Sequence, residues 1–140
     1  MKTLAKTVFL ILTILFSSLI WSCEPDEDDN NNTTNTRSKF VSAWRCVEES
    51  QLTYTVEITE STTNTSEVYL GNFHHLGESE RALGSIAGYA ITIPEQPMCS
   101  GEWIVKGSGM MGANAKTISF QYIVTGGPTS DTINAIYDKI

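Results

Sequence analysis

Short runs of alternating apolar and polar residues, cut about every ten residues by clusters of Gly, Pro, Ser, Thr and Asn, constrain the fold of this chain more than any other feature. Leu52, Tyr54, Val56 and Ile58 alternate with Thr53, Thr55, Glu57 and Thr59. Successive side chains of a strand point to opposite faces, so this run makes a strand with one apolar and one polar face. The cluster Ser61-Thr62-Thr63-Asn64-Thr65-Ser66 turns the chain, and the run from Val68 to Phe73 supplies the returning partner of a hairpin.

The same pattern continues to the C-terminus. Arg81 to Ala87 and Tyr89 to Pro94 flank Gly88, and Trp103 to Gly109 is a further strand in which Gly107 and Gly109 predict a bulge or tight turn. Met110 and Met111 then predict an apolar loop tip. Lys116 to Val124 alternates until Gly126-Gly127-Pro128 breaks it, and Asp131 to Tyr137 is a last strand. Phe40 to Val47 is the first, with Trp44 a core candidate. No window after Ser38 carries a convincing amphipathic helix, and His74 to Ala82 comes nearest with one or two turns. The pattern predicts an all-β fold, an antiparallel meander of about eight strands. Closure into a barrel and folding into a β-sandwich both protect the sheet edges, and the alternation alone does not choose between them.

The N-terminus reads differently. Lys2 and Lys6 precede an apolar stretch from Thr7 to Phe16, giving residues 1–22 the parts of a secretory signal. Thr13 and Ser17-Ser18 interrupt the run, which falls short of the ~20 apolar residues of a membrane span. Ile20-Trp21-Ser22-Cys23 resembles a bacterial lipobox, which implies diacylglycerol on the Cys23 thiol and a further acyl chain, such as palmitate, on its amino group. Several chains anchor a protein far more firmly than one. Residues 23–38 contain no aliphatic or aromatic residue beyond the lipidated cysteine and are rich in Glu, Asp, Asn and Thr. Such a segment has nothing to bury against the entropy of ordering it, so a flexible tether is expected, followed by a single domain over 39–140. The acidic residues Glu24 to Asp29 resemble the surface-export signal of Bacteroidota lipoproteins. The expected location is the outer membrane, surface-exposed or periplasm-facing.

Removing Lys2 and Lys6 with the signal leaves 7 basic against 16 acidic residues, about −9 net. A chain this acidic gains nothing from phosphate neutralisation, which argues against nucleic acid as a partner. Cys46 and Cys99 would lie in an oxidising compartment, where one disulfide between them is the favoured reading and two free thiols the alternative.

The order Trp44, Tyr54-Thr55-Val56-Glu57-Ile58, Asn72-Phe73, Ile91-Thr92-Ile93-Pro94-Glu95-Gln96, Gly107-Ser108-Gly109, Ile118-Ser119-Phe120-Gln121-Tyr122 and Ala135-Ile136-Tyr137 is similar to that of small lipocalin-like lipoproteins of Bacteroidota. The resemblance spans nearly the whole domain and implies a compact lipocalin-like barrel on a lipid anchor. It implies no established activity.

Candidates for chemistry give little. Gly107-Ser108-Gly109 lacks the spacing of a nucleophile elbow. His74 and His75, in a segment with Glu78 and Glu80, read as a solvated loop, because a zinc site draws three or four ligands, so no metal is assigned. Glu48, Glu49, Glu57, Glu60 and Glu67 mostly fall at strand ends or on polar faces and read as solvated carboxylates. No catalytic residue and no cofactor is assigned. Among the aromatic residues Trp103, Tyr89 and Tyr122 are the ligand-binding candidates. Asp131-Thr132-Ile133 resembles an O-glycan acceptor of exported Bacteroidota proteins, and Asn31, Asn32 and Asn64 head formal N-glycan sequons. The expected protein is a membrane-anchored, non-enzymatic binding module for a small apolar or glycan ligand. The alternatives are a structural or protein-interaction domain with a filled core, and an enzyme of unknown class.

Overall fold

A computed structural model of the protein describes residues 36–140. Cys23, the signal segment and most of the tether, with Asn31 and Asn32, lie outside the described residues. The strands are β1 (Ser42–Glu48), β2 (Thr53–Glu60), β3 (Glu67–Gly71), β4 (Arg81–Ala87), β5 (Ala90–Met98), β6 (Trp103–Met111), β7 (Thr117–Gly126) and β8 (Thr129–Lys139). Each pairs antiparallel with its neighbour in sequence, and β1 also pairs with β8, so the meander closes into an eight-stranded barrel. The sandwich alternative is thereby overturned: the long β7–β8 hairpin carries the chain back beside β1, and closure leaves no sheet edge to protect.

Alternation decides what the barrel contains. Trp44 and Cys46 of β1, Val56 and Ile58 of β2, Val68 and Leu70 of β3, Ile91 and Ile93 of β5, and Ile118, Phe120, Tyr122 and Val124 of β7 are all buried inside. Each such side chain contributes about 1.5–3 kcal/mol when taken fully out of water. The outward positions carry Thr53, Thr55, Glu57, Thr92, Lys106, Ser108 and Gln121, all exposed. An apolar interior with a polar outer face is the reverse of a membrane-spanning barrel. No helix among the described residues is long and apolar enough to cross a membrane.

Two expectations about β6 are corrected. Gly107 and Gly109 sit in regular register opposite Tyr122 and Phe120, and their missing side chains make room for the Tyr122 Cα and Cβ and for the Phe120 ring respectively. Met110 and Met111 continue the strand rather than forming a loop tip, Met111 buried and Met110 on the outer face. The bulge lies instead in β5, between Ile93 and Gln96, where Pro94 and Pro97 cannot donate to a ladder. Gln96 repairs the gap with its side chain, accepting from Leu83 N–H at 2.7 Å and donating to Leu83 C=O at 2.8 Å.

Successive connections alternate between the two ends of the barrel. The lower end holds the β2–β3, β4–β5 and β6–β7 turns and is plugged by a helical turn over residues 36–40. Phe40 is fully buried, and its carbonyl accepts from Trp44 Nε1 at 2.8 Å. Arg37 is buried too, donating to the Asn64 carbonyl at 3.1 Å, the Ser61 carbonyl at 3.3 Å and the Glu60 carboxylate at 3.0 Å. Arg37 thereby ties residues 36–40 to the β2–β3 turn.

Candidate functional site

The upper end holds the β1–β2, β3–β4, β5–β6 and β7–β8 connections, and the polar chemistry of the interior gathers there. Trp44, Cys46 and Glu48 share the inward parity of β1, so the last inward position of that strand is a carboxylate, only 3% exposed. Tyr54, at the inward start of β2, and Tyr122, from β7, each donate a hydroxyl to Glu48 Oε1 at 2.7 Å. Their oxygens lie 3.3 Å apart. Ser50 Oγ stands 3.4 Å from Glu48 Oε2.

The fourth partner comes from the β3–β4 connection, which makes one 3₁₀ turn over Phe73–His75. Its His74 Nδ1 lies 3.1 Å from Glu48 Oε1 and 3.2 Å from the Tyr122 hydroxyl. The turn also buries Phe73 completely, its ring 4.7 Å from that of Tyr122. His75 points the other way, an exposed ring 5.4 Å from the Tyr54 ring. Asn72, His74 and His75 have φ of 57°, 51° and 55°, left-handed backbone that costs a non-glycine residue energy. Asn72 holds the turn to β2 through Nδ2 to the Thr55 carbonyl, 2.9 Å.

Electrostatics follow from this packing. Burial on its own would raise the Glu48 carboxyl, but hydrogen bonds from Tyr54 and Tyr122 and the nearby His74 outweigh it and hold the group below the usual carboxylate range. Burial pushes the Tyr54, Tyr122 and Tyr137 hydroxyls well above the ordinary tyrosine range, so they remain protonated donors. The fully buried Tyr137 hydroxyl has no oxygen or nitrogen partner and lies against the Cys46 thiol.

Beside the turn, a hollow of about 640 Å³ opens to solvent, lined by Thr53, Tyr54, Thr55, Glu57, Asn72, His75 and Glu78 among others. Further hollows of about 400–470 Å³ lie along β5 to β8, lined in part by Ser108, Ser119, Gln121 and Asn134, one of them reaching Val47, Glu48 and Glu49 at the end of β1.

Several expectations are redrawn by this arrangement. Glu48 is a buried, fourfold-contacted group rather than a solvated one, and His74 faces inward rather than lying in a solvated loop, while Glu49, Glu57 and Glu60 are exposed as expected. Among the described residues no three His, Cys, Asp or Glu side chains form a metal site. The three aromatic candidates do not meet. Tyr122 belongs to the Glu48 cluster. Trp103 packs over Gly126 on the upper rim, where an added Cβ would come within 2.6 Å of its ring. Tyr89 is exposed at the lower end, bonded to Lys39 Nζ at 3.2 Å. The expected Cys46–Cys99 disulfide is not formed, and both thiols are free. Cys46 points into the barrel beside Tyr54 and Tyr137, while Cys99 sits in the β5–β6 connection with its sulfur 3.8 Å from the Leu76 carbonyl. Thr132, within the suggested O-glycan acceptor, and Asn64 are exposed.

Parity in β1 pointed to Glu48, which follows the core residues Trp44 and Cys46, and parity in β2 to Tyr54, which precedes Val56 and Ile58, while Leu52, expected on the same face, is exposed. Nothing periodic marked His74, whose direction is set by the left-handed turn.

No family model and no curated protein matches the chain. Among solved structures it is similar to the redesigned β-barrel b11L5F_LGL, at 12% identity and TM-score 0.51, over 75% of this chain and 95% of that one. It is also similar to EF1p2_mFAP2b bound to DFHBI, at 8% identity and TM-score 0.51, over 77% of this chain and 99% of that one. At such identities the likeness is one of architecture: the chain folds as a closed, up-and-down β-barrel.

Proposed function

We propose that this protein is a non-enzymatic binding barrel, held to the outer membrane by acyl chains on Cys23, whose upper end binds a hydroxyl-rich ligand of the glycan type. The carrying observation is the hollow of about 640 Å³ on the outer wall of β2 near the upper end, where the exposed His75 ring, backed by the largely buried ring of Tyr54, stands beside Asn72, Glu57, Glu78 and two threonines. An aromatic surface bordered by carboxylates, a carboxamide and hydroxyls suits a sugar, which presents an apolar face and a ring of hydroxyls. Large side chains fill the interior, Trp44, Phe73, Tyr122 and Tyr137 among them, which favours a rim site over a central one for such a ligand. The EF1p2_mFAP2b barrel is bound to DFHBI, so in that protein the shared architecture accommodates a small molecule.

The topology supports an orientation. The tether enters at the lower end through the 36–40 plug, and the stretch from Cys23 to Thr36 can reach at most ~45 Å. The hollow at the opposite end would then face away from the membrane.

Calorimetric titration against a panel of bacterial and host oligosaccharides tests the binding. His75→Ala is expected to weaken a bound sugar at least tenfold while leaving thermal stability within about 1 kcal/mol. Binding that ignores His75 and Asn72 would move the site elsewhere. Anchoring is tested separately: Cys23→Ala should release the protein from membranes, and continued retention would count against lipidation.

A further inference from the structure

Phe73 and His74 are arranged as a ligand is arranged in its pocket. Phe73 arises in a connection rather than a strand, yet its ring is fully buried and rests against Tyr122 at 4.7 Å, tilted by 52°. The next residue, His74, delivers its Nδ1 to within 3.1 Å of the buried Glu48 carboxylate, where an N–H on that nitrogen donates to Oε1. Left-handed backbone at Asn72, His74 and His75 is concentrated in the segment that makes these contacts. Strain of this kind persists where surrounding contacts over-determine it.

Beneath the turn lies chemistry that a filled core does not need. Buried carboxylates are costly unless compensated, and buried hydroxyls normally find partners. Here a carboxylate takes two tyrosine hydroxyls on one oxygen, and a third buried hydroxyl, on Tyr137, has only the weakly bonding Cys46 thiol beside it and no oxygen or nitrogen partner. Cys46, Tyr122 and Glu48 are its electrostatic neighbours, which places it in the same cluster.

We infer that the upper interior is a masked binding site for an aromatic ring carrying a protonated amine, filled in the free protein by Phe73 as the ring and His74 as the N–H donor. On binding, the β3–β4 connection swings outward. The ligand ring takes the place of Phe73 against Tyr122, and its ammonium takes the place of His74 at Glu48 Oε1. An ammonium has three N–H groups, so it can also donate to tyrosine oxygens that an imidazole leaves unused. A ring without an ammonium would leave Glu48 Oε1 with the two tyrosine hydroxyls alone and is selected against. This site adjoins the rim hollow, shares Tyr54 with it, and does not rest on the glycan reading.

The test uses the full chain and three probes: phenethylamine, the neutral 2-phenylethanol, and the ringless propylamine. Phe73→Ala removes the tethered competitor and is expected to tighten phenethylamine binding at least tenfold relative to the unaltered protein. In that variant the other two probes should bind at least tenfold more weakly than phenethylamine, and adding Glu48→Gln should erase the preference for amine over alcohol. Equal binding of phenethylamine and 2-phenylethanol by Phe73→Ala would overturn the proposal, as would no binding. Should that variant fail to fold, hydrogen exchange on the unaltered protein decides. Saturating phenethylamine should speed exchange at the His75 and Leu76 amides, which close the turn onto Asn72 and Phe73, at least tenfold while β1 and β7 are unchanged. Unaltered exchange there would overturn it.

Discussion

Gly107 of β6 lies directly opposite Tyr122 of β7, and a Cβ added to Gly107 would fall within 2.6 Å of both the Gln121 carbonyl and Tyr122 Cα. The absent side chain is what allows Tyr122 to sit at this level and reach Glu48 with its hydroxyl. The obstacle is backbone, so it cannot swing aside as a flexible side-chain end would. Gly107→Ala is expected to destabilise the barrel by about 2–3 kcal/mol and to lower the melting temperature by roughly 10 °C. Thermal unfolding followed by circular dichroism measures this, and a neutral substitution would mean that Tyr122 is seated by something else.

Glu48 gives the fold a signed dependence on pH. Its carboxyl titrates lower in the folded protein than in the unfolded chain, where a glutamate titrates near ~4.3. Its stabilising contribution is therefore complete above that value and is lost as pH falls through the lower, folded-state value. Glu48→Gln should cost about 1–3 kcal/mol at pH 7, and its difference from the parent should shrink as both are taken to pH 3. Denaturant midpoints recorded across that range supply the comparison, and curves that stay parallel throughout would deny Glu48 this role.

The thiols offer a chemical test of the interior. Burial pushes the Cys46 thiol up to about 11, and burial with Glu80 and Glu102 also raises Cys99. At pH 8, Cys46 should resist a thiol reagent in the folded protein and Cys99 should react slowly. Under denaturing, non-reducing conditions both should react at once. A pair that reacts only after reduction would restore the disulfide.

Arg37 fastens the lower plug through two turn carbonyls and the Glu60 carboxylate. Arg37→Ala takes the donor from the buried Ser61 carbonyl and the ion-pair partner from Glu60, and is expected to cost about 1–3 kcal/mol. Arg37→Lys should recover only part of this, because an ammonium cannot span the same set of acceptors. Full recovery by lysine would reduce the role to charge alone.

Most of the fold was legible because period-two alternation is enforced by the barrel wall itself: residues such as Val56, Ile91 and Phe120 have no other place to go. Closure was not legible, since the pairing of β1 with β8 joins segments that are remote in sequence and carry no local mark. The site divided in the same way. Glu48 lay on the inward parity of Trp44 and Cys46, but a carboxylate at a strand end reads as solvated until partners from β2, β7 and the β3–β4 turn are brought around it. Gly107-Ser108-Gly109 suggested a bulge because the residues it makes room for belong to the next strand. The cysteines misled because both suited an oxidising compartment, while the fold turns Cys46 inward and leaves Cys99 on the rim.

Mapping of amide chemical shifts during an oligosaccharide titration tests the binding account most directly. The account predicts that the sugar shifts Thr53, Tyr54, Asn72, His75 and Glu78 at the upper rim, and leaves the lower plug around Arg37 and Phe40 still. Shifts confined to the outer face of β6 to β8, or no shifts with any sugar of the panel, would contradict it.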